Sequence, residues 1–397
     1  MQTVTGIIHG VFQAAYAYQG HLIAVRDDTE VVAVPLYDLL KGLKLNSRDR
    51  FIVEHSFLRN DRLCSTMMQD LAKVGLLRPF STLYPGRDSL TYILNANSLD
   101  SAPRMSLPKD AGFVLDCEIY FREAIFATRS GLYRALFNVS EDTFAWREVD
   151  RSHDGPVYMV DVRYGAVTLA CGSDGVMGQI VWRLRGEDGT QDPGRWNTEQ
   201  LLSGDVTRTA WWSHDILAFD TKLRMGCIHN EMRKHGTGPT ASTRAERLGC
   251  GGLGWTDPTG LASCWRGNPT AGFSSQHRVY LSDRDRGTVM LRQSGRGVTL
   301  NAWEDLEEQP DLLTSEYCFN GHYMPKVGVI ADTDQGTLLV SARKQPVVLS
   351  SEENVAIKTF GRSQHYTRLI CSVKDHHIEL MAIWPTVKDL TKESTWE

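Results

Sequence analysis

A short apolar strand, a glycine-bearing turn and a second apolar strand recur along the chain at a near-regular interval. In Ala166-Val-Thr-Leu-Ala-Cys-Gly-Ser-Asp-Gly175, followed by Val176 to Leu184, the pair Asp174-Gly175 separates two such runs. Glycine lacks the Cβ that clashes at positive φ, so Asp-Gly between apolar runs reads as a two-residue hairpin turn. The outline returns at Ile125 to Phe137 around Ser130-Gly131, at Val279 to Leu291 around Asp285 and Gly287, and at Val329 to Val340 around Asp334 and Gly336. Weaker copies turn at Asp27-Asp28-Thr29, Thr221-Lys222 and Asp375-His376, and a further one is expected at Pro85 to Asp88 before Leu90. One turn residue from each falls near 28, 88, 131, 175, 222, 287, 336 and 376, at separations of mostly about 40 to 50.

That is the period of a four-stranded propeller blade. Stacking short antiparallel sheets radially leaves only brief, covered edges, so many strands fit in one chain without edge-to-edge aggregation. The expected fold is all-β: a single closed β-propeller over residues 1–397, with seven or eight four-stranded blades. Closure is expected to pair the two chain ends, Thr3 to Ile8 beside Ile378 to Trp384.

Two intervals are long, and each holds an insertion. The first contains Asn60-Asp61, then Leu63, Met67, Leu71 and Val74, then Gly75. An N-cap, a helical stripe and a terminating glycine predict a short helical insertion over 58–76. The second, 232–275, is rich in Gly, Pro, Ser and Thr and reads as a long loop. It holds Arg233, Lys234, Arg244, Arg247 and Arg266 against Glu246 and Asp257, a local excess of about +3 in a chain of net charge −5. Trp255 and Trp265 lie in the same stretch. Arginine beside tryptophan suits a protein hot spot or base stacking, so Arg233, Lys234, Arg244, Arg247, Trp255, Trp265 and Arg266 are the candidate partner-binding residues.

The remaining motifs carry less chemistry. Gly249-Cys-Gly-Gly-Leu-Gly254 matches a dinucleotide fingerprint, but Trp255-Thr-Asp-Pro258 after it cannot start the helix that would hold a pyrophosphate. Cys227, His229 and His235 are close in sequence, yet their spacing fits no standard zinc module, so no metal and no cofactor is assigned. His214-Asp215 and His376-His377 could serve in acid–base chemistry, but no nucleophile motif such as G-x-S-x-G accompanies them, and no catalytic residue is assigned. An acidic stretch at Glu304, Asp305, Glu307, Glu308 and Asp311 reads as a solvated loop.

Eight scattered cysteines with no C-x-x-C pair suit buried free thiols in a reducing compartment. Met1 to Gly10 lacks a basic region followed by an apolar one, and no stretch is long enough to span a bilayer. The expected setting is intracellular, cytoplasmic or nuclear, away from membrane.

The unit from His153-Asp-Gly-Pro-Val157 through Trp182 resembles a WD40 repeat: a Gly/His opening, an inner strand, Gly-Ser-Asp-Gly at the hairpin and an outward strand ending near Trp. Gly20-His21 and Gly321-His322 echo the Gly-His element, while no Trp-Asp dipeptide occurs. The resemblance implies a non-catalytic protein-interaction scaffold, a propeller subunit of a multi-protein complex. The alternatives are a propeller-fold hydrolase or lyase, which would gather three or more carboxylates, His or Arg at the channel mouth, and an RNA-associated subunit binding through 232–275.

Overall fold

The chain lays down short antiparallel sheets in sequence and then returns to its own beginning. The computed structural model describes residues 2–27, 29–58, 89–139, 143–181, 198–212, 214–220, 225–236, 242–256, 269–275, 278–283, 287–294, 299–302, 320–324, 327–333, 336–340, 347–360 and 366–384. Strand β1 (Gln2–His9) belongs to the last sheet. The first is a meander of β2 (Phe12–Tyr18), β3 (His21–Arg26) and β4 (Glu30–Pro35). An insertion with α1 (Leu36–Leu40), α2 (Ser47–Phe57) and β5 (Leu90–Ile93) precedes its fourth strand, β6 (Arg104–Ser106). Four consecutive strands make each of the next sheets. They are β7 (Val114–Tyr120), β8 (Glu123–Thr128), β9 (Gly131–Val139) and β10 (Phe144–Asp154), then β11 (Met159–Arg163), β12 (Ala166–Ala170), β13 (Val176–Ile180) and β14 (Glu199–Leu202). There follow β15 (Val206–Trp212), β16 (Asp215–Asp220), β17 (Met225–His235) and β18 (Ser242–Thr256), then β19 (Pro269–Ser275), β20 (Arg278–Asp283), β21 (Gly287–Ser294) and β22 (Thr299–Ala302). After β23 (Asn320–Met324), β24 (Gly328–Thr333), β25 (Gly336–Val340) and β26 (Val347–Ser350), the last sheet is β27 (Ala356–Thr359), β28 (Leu369–Val373) and β29 (His377–Trp384), joined by β1 and β5.

The described residues thus form seven sheets. Each of seven expected hairpins joins the second and third strands of one sheet, and the eighth, expected at 85–88, lies outside the described residues. The strand that follows, β5, instead runs parallel to β1, with Val4 opposite Leu90 and Ile7 opposite Ile93. The chain ends pair as expected, Thr3 opposite Ile383 through His9 opposite His377.

Alternate residues of the second strand in a sheet go to different cores, which is why these strands are apolar at consecutive positions. Ala124 and Phe126 of β8 pack with Ile23, Val25 and Val31 of the sheet before, whereas Ile125 and Ala127 pack with Val160, Val167 and Leu169 of the sheet after. Leu22 and Ala24 of β3 likewise join Leu369, Leu380 and Trp384 of the last sheet. The first strands meet in turn: β2 touches β7, then β11, β15, β19, β23 and β27 follow, and β27 touches β2. Side chains satisfy backbone groups at several of these junctions. Gln13 on β2 accepts from Val114 N–H at 2.7 Å, Asp116 on β7 from Val160 N–H at 3.0 Å, and Asp161 on β11 from Trp211 N–H at 3.3 Å.

The turn glycines prove necessary for a reason beyond φ. Cys171 to Gly175 form a longer connection than a two-residue turn, with Cys171 N–H donating to Gly175 O at 2.8 Å. Gly175 has φ of +81°, and a Cβ there would lie 2.0 Å from the Leu202 carbonyl oxygen. The corresponding distance is 2.2 Å to Ser350 O for Gly336 and 2.5 Å to His153 O for Gly131, whose φ is not positive. In all three sheets the fourth strand crosses directly over the hairpin.

The helix expected over 58–76 falls almost wholly outside the described residues; Leu58 is the C-cap of α2. That helix has its own signal, Asn46, whose side chain accepts from Asp49 N–H at 2.8 Å. Ile52, Val53 and Phe57 are buried, and Trp384 Nε1–H donates to Ser56 Oγ at 2.8 Å, which seats α2 on the last sheet. Among the described residues Cys117, Cys171, Cys227 and Cys371 are buried free thiols, whereas Cys250 is exposed. No helix among them is long and apolar enough to cross a membrane.

Gly175→Val is expected to destabilise the fold by at least about 3 kcal/mol, through positive φ and collision with the fourth strand. Gly131→Ala, where only the collision acts, should cost about 1–3 kcal/mol. Urea midpoints check both, and an unchanged midpoint for either would refute the crossing described.

Candidate functional site

Residues 232–275, expected as a loop, carry the end of β17, all of β18 and all of β19. Composition misled because glycine is the commonest residue of β18, yet its partner strand fixes it through the ladder from Cys227 opposite Leu253 to His235 opposite Ser242. Gly249 to Gly254 run inside this strand, so no helix N-terminus is there to receive a phosphate. Beyond its pairing with β16, which ends at Ile216 opposite Ile228, β17 continues with β18 as a two-stranded arm.

The arm leans on the sheet before it. Ala245 is buried and its N–H donates to Tyr164 O at 2.9 Å, while Met232 and Leu248 pack against the cluster around Trp211 and Val176. The other face is charged. Arg233 stands opposite Arg244 and Arg247 opposite Glu231, whereas Lys234 and Thr243 fall on the same side as Met232 and Ala245, farther along the arm. Glu246 lies 3.8 Å from Arg233 and 3.9 Å from His235. Arg233, Lys234 and Arg247 are exposed. Five of the seven candidate residues thus share the β17–β18 ribbon, Trp255 near the far end of β18. Trp265 and Arg266 lie outside the described residues. His235 is drawn to Glu246 and does not join Cys227 and His229.

A second cluster, unannounced by any motif, sits on the first strands. Lys358 of β27 reaches Asp116 Oδ1 at 2.6 Å and Glu118 Oε2 at 3.5 Å, both on β7. Tyr16 of β2, the strand between them, donates its hydroxyl to Glu118 Oε1 at 2.6 Å. Burial pushes the Glu118 carboxyl above its ordinary value, opposed by the Lys358 ammonium and the Tyr16 hydroxyl. Burial works against the charge on Lys358, but Asp116 and Glu118 outweigh it and hold the ammonium above the usual lysine range. The Asp161 charge also pushes Glu118 up, so three carboxylates and a lysine share this neighbourhood, as a catalytic channel would require. All four oxygens of Asp116 and Glu118 are nevertheless engaged, by Lys358, Tyr16 and Val160 N–H. The arrangement is a clamp between strands.

The WD40-like unit also has a structural reading. His153 lies on β10, the outermost strand of one sheet, and the rest of the described unit forms β11 to β13 of the next. The sequence repeat is therefore offset from the sheet and ties neighbours together. The other two Gly-His pairs fall elsewhere, Gly20-His21 at the β2–β3 turn and Gly321-His322 within β23.

Neither a protein-family model nor a curated protein matches the chain. Among solved structures, the β-propeller domain of Cps50 (Swd1) from Myceliophteria thermophila is similar, with 11% identity and a TM-score of 0.51 over 95% of this chain and 98% of that one. The WD40 domain of Toxoplasma gondii coronin is similar at 7% identity and a TM-score of 0.51, over 98% and 88% of the two chains. At these identities the likeness bears on fold alone, and the fold is propeller-like, of the WD40 type.

Lys358→Met is expected to cost about 2 kcal/mol near neutral pH, because it leaves two part-buried carboxylates without their cation. An acid whose folded pKa is raised holds its proton longer in the native state, so its burden on stability appears as pH rises through that pKa. Without Lys358 the Glu118 carboxyl moves further up, so the loss should be larger at pH 8 than at pH 5. Urea unfolding at the two pH values checks this; an equal loss at both would mean the side chain matters only for packing.

Proposed function

We propose that this chain is a closed seven-bladed β-propeller acting as a non-catalytic protein-interaction platform within a multi-protein complex, and that the β17–β18 arm docks an acidic protein partner. Closure is supported by the cyclic meeting of first strands and by the β1–β29 pairing, and seven blades by the seven sheets. The observation that carries the docking role is the exposed basic group of Arg233, Lys234 and Arg247 on an arm anchored through Met232, Ala245 and Leu248. Glu246 already stands 3.8 Å from Arg233 within the ribbon, and the exposed side chains of Arg233, Lys234 and Arg247 suit an anionic partner. Buried thiols fit an intracellular setting, cytoplasmic or nuclear.

The hydrolase or lyase reading draws on the convergence of Asp116, Glu118 and Asp161, and the engagement of the first two by Lys358, Tyr16 and Val160 weighs against it. The same arm would also serve an RNA-associated subunit, with binding that falls steeply with salt.

The test is affinity purification from the native source at two salt concentrations, followed by mass spectrometry, using the wild type and Arg233→Glu/Arg244→Glu. Stoichiometric protein partners bound at least about tenfold more weakly by the folded variant are expected. Partners released by nuclease would favour the RNA reading. A clean monomer in every condition would overturn the scaffold and favour an enzyme.

A further inference from the structure

Where β17 leaves β16 to begin the arm, three side chains of different donor type face one another. Cys227 and His229 are two apart on β17 and share one face of the sheet. The ladder pairs Leu217 with Cys227 and Ile216 with Ile228, and continuing that register brings Asp215, at the start of β16, across from His229. A thiol sulfur, an imidazole nitrogen and a carboxylate oxygen from these three residues all lie within 4.8 Å of one another. His229 Nδ1 is 3.2 Å from Asp215 Oδ2.

The carboxylate is held from behind. Asn230 N–H donates to Asp215 Oδ1 at 3.4 Å, so Oδ2 is the oxygen facing the histidine. Asn230 is itself fixed, its amide donating to His214 O at 2.9 Å and its Oδ1 accepting from Gly249 N–H at 3.2 Å. Such an outer layer orients ligands before a metal arrives. Cys227 is buried and the His229 side chain is 41% exposed, so the cluster runs from the interior to the surface.

We infer that Asp215, Cys227 and His229 bind one divalent transition-metal cation of the zinc class, with a fourth position open to water. The donors decide the class: calcium and magnesium favour sets of oxygen ligands, whereas sulfur, nitrogen and a carboxylate in tetrahedral reach suit zinc or its cobalt substitute. On binding, the Cys227 thiol releases its proton to solvent, and the imidazole proton moves from Nδ1 to the outer nitrogen if Nδ1 ligates. The thiolate and carboxylate then balance the two positive charges. Burial and the nearby Asp215 charge push the Cys227 thiol up to about 12, so without a cation it stays an inert thiol. The metal would tie β16 to β17 at the root of the arm, whatever the arm itself binds.

The test is a titration of the full, untagged chain with Co2+, followed by thiolate-to-cobalt absorption and then displacement by Zn2+. One equivalent should give the band, Zn2+ should abolish it, and Zn2+ should raise the melting temperature. His229→Ala, at a partly exposed position, should weaken cobalt binding by at least about tenfold while the far-ultraviolet circular dichroism is unchanged. Cys227→Ser should remove the thiolate band; if that variant does not fold, Asp215→Asn and His229→Ala supply the comparison. Cys250→Ser, which removes an exposed thiol elsewhere on the ribbon, should keep the band. No thiolate band in the wild type, or one that survives His229→Ala and disappears with Cys250→Ser, would overturn the site.

Discussion

Burial of both faces of each central strand is the constraint from which the rest of this architecture follows. Strand β8 is buried at every position, as are β12 and β28, because each stands between two neighbouring sheets. With a side-chain period of two, a slip of one residue would exchange the two cores served by β8, so register is set from both sides at once. A sheet in such an arrangement cannot be removed without baring its neighbours. This is why the last sheet recruits β1 from the opposite end of the chain: Val4 and Ile8 complete a core that Leu369, Leu380 and Trp384 share with the first sheet.

Polar groups are subordinate to that packing. First strands from different sheets meet without a backbone ladder of their own, so Gln13, Asp116 and Asp161 supply acceptors for N–H groups next door. Lys358 extends the same principle across β2, joining the last sheet to the second through Asp116 and Glu118. A lysine so placed is held by two carboxylates against the effect of burial, and they in turn depend on it. The arm differs, since only one of its faces is packed and the other sets Arg233 opposite Arg244 and Arg247 opposite Glu231. An overall negative chain thus offers a basic ribbon on a rigid support.

Much of this was legible. Seven of the eight hairpins fall between the second and third strands of a sheet, because a short continuous apolar run ending in a turn is a local signal. Pro85 to Asp88 resembled the others in composition, but the strand after it had another use at the edge of β1. The ribbon of β17 and β18 was hidden because Gly and Thr suggest a loop until a partner strand is present to supply hydrogen bonds. Helix α2 was missed although Asn46 and Asp49 mark its start, its buried residues being too few and too close together to stand out as a stripe.

From sequence alone came the sheet period, the hairpin positions, the pairing of the chain ends and the local basic excess, all properties of residues near one another or of a repeated spacing. The meetings of distant residues came only with the tertiary structure. Lys358 faces Asp116 because β27 and β7 flank β2, and Asp215 faces His229 because two strands align in one register. The turn glycines join the two kinds of information. Gly131, Gly175 and Gly336 are visible as turn signals in the sequence, but the carbonyl that excludes a Cβ from each belongs to a strand that arrives later.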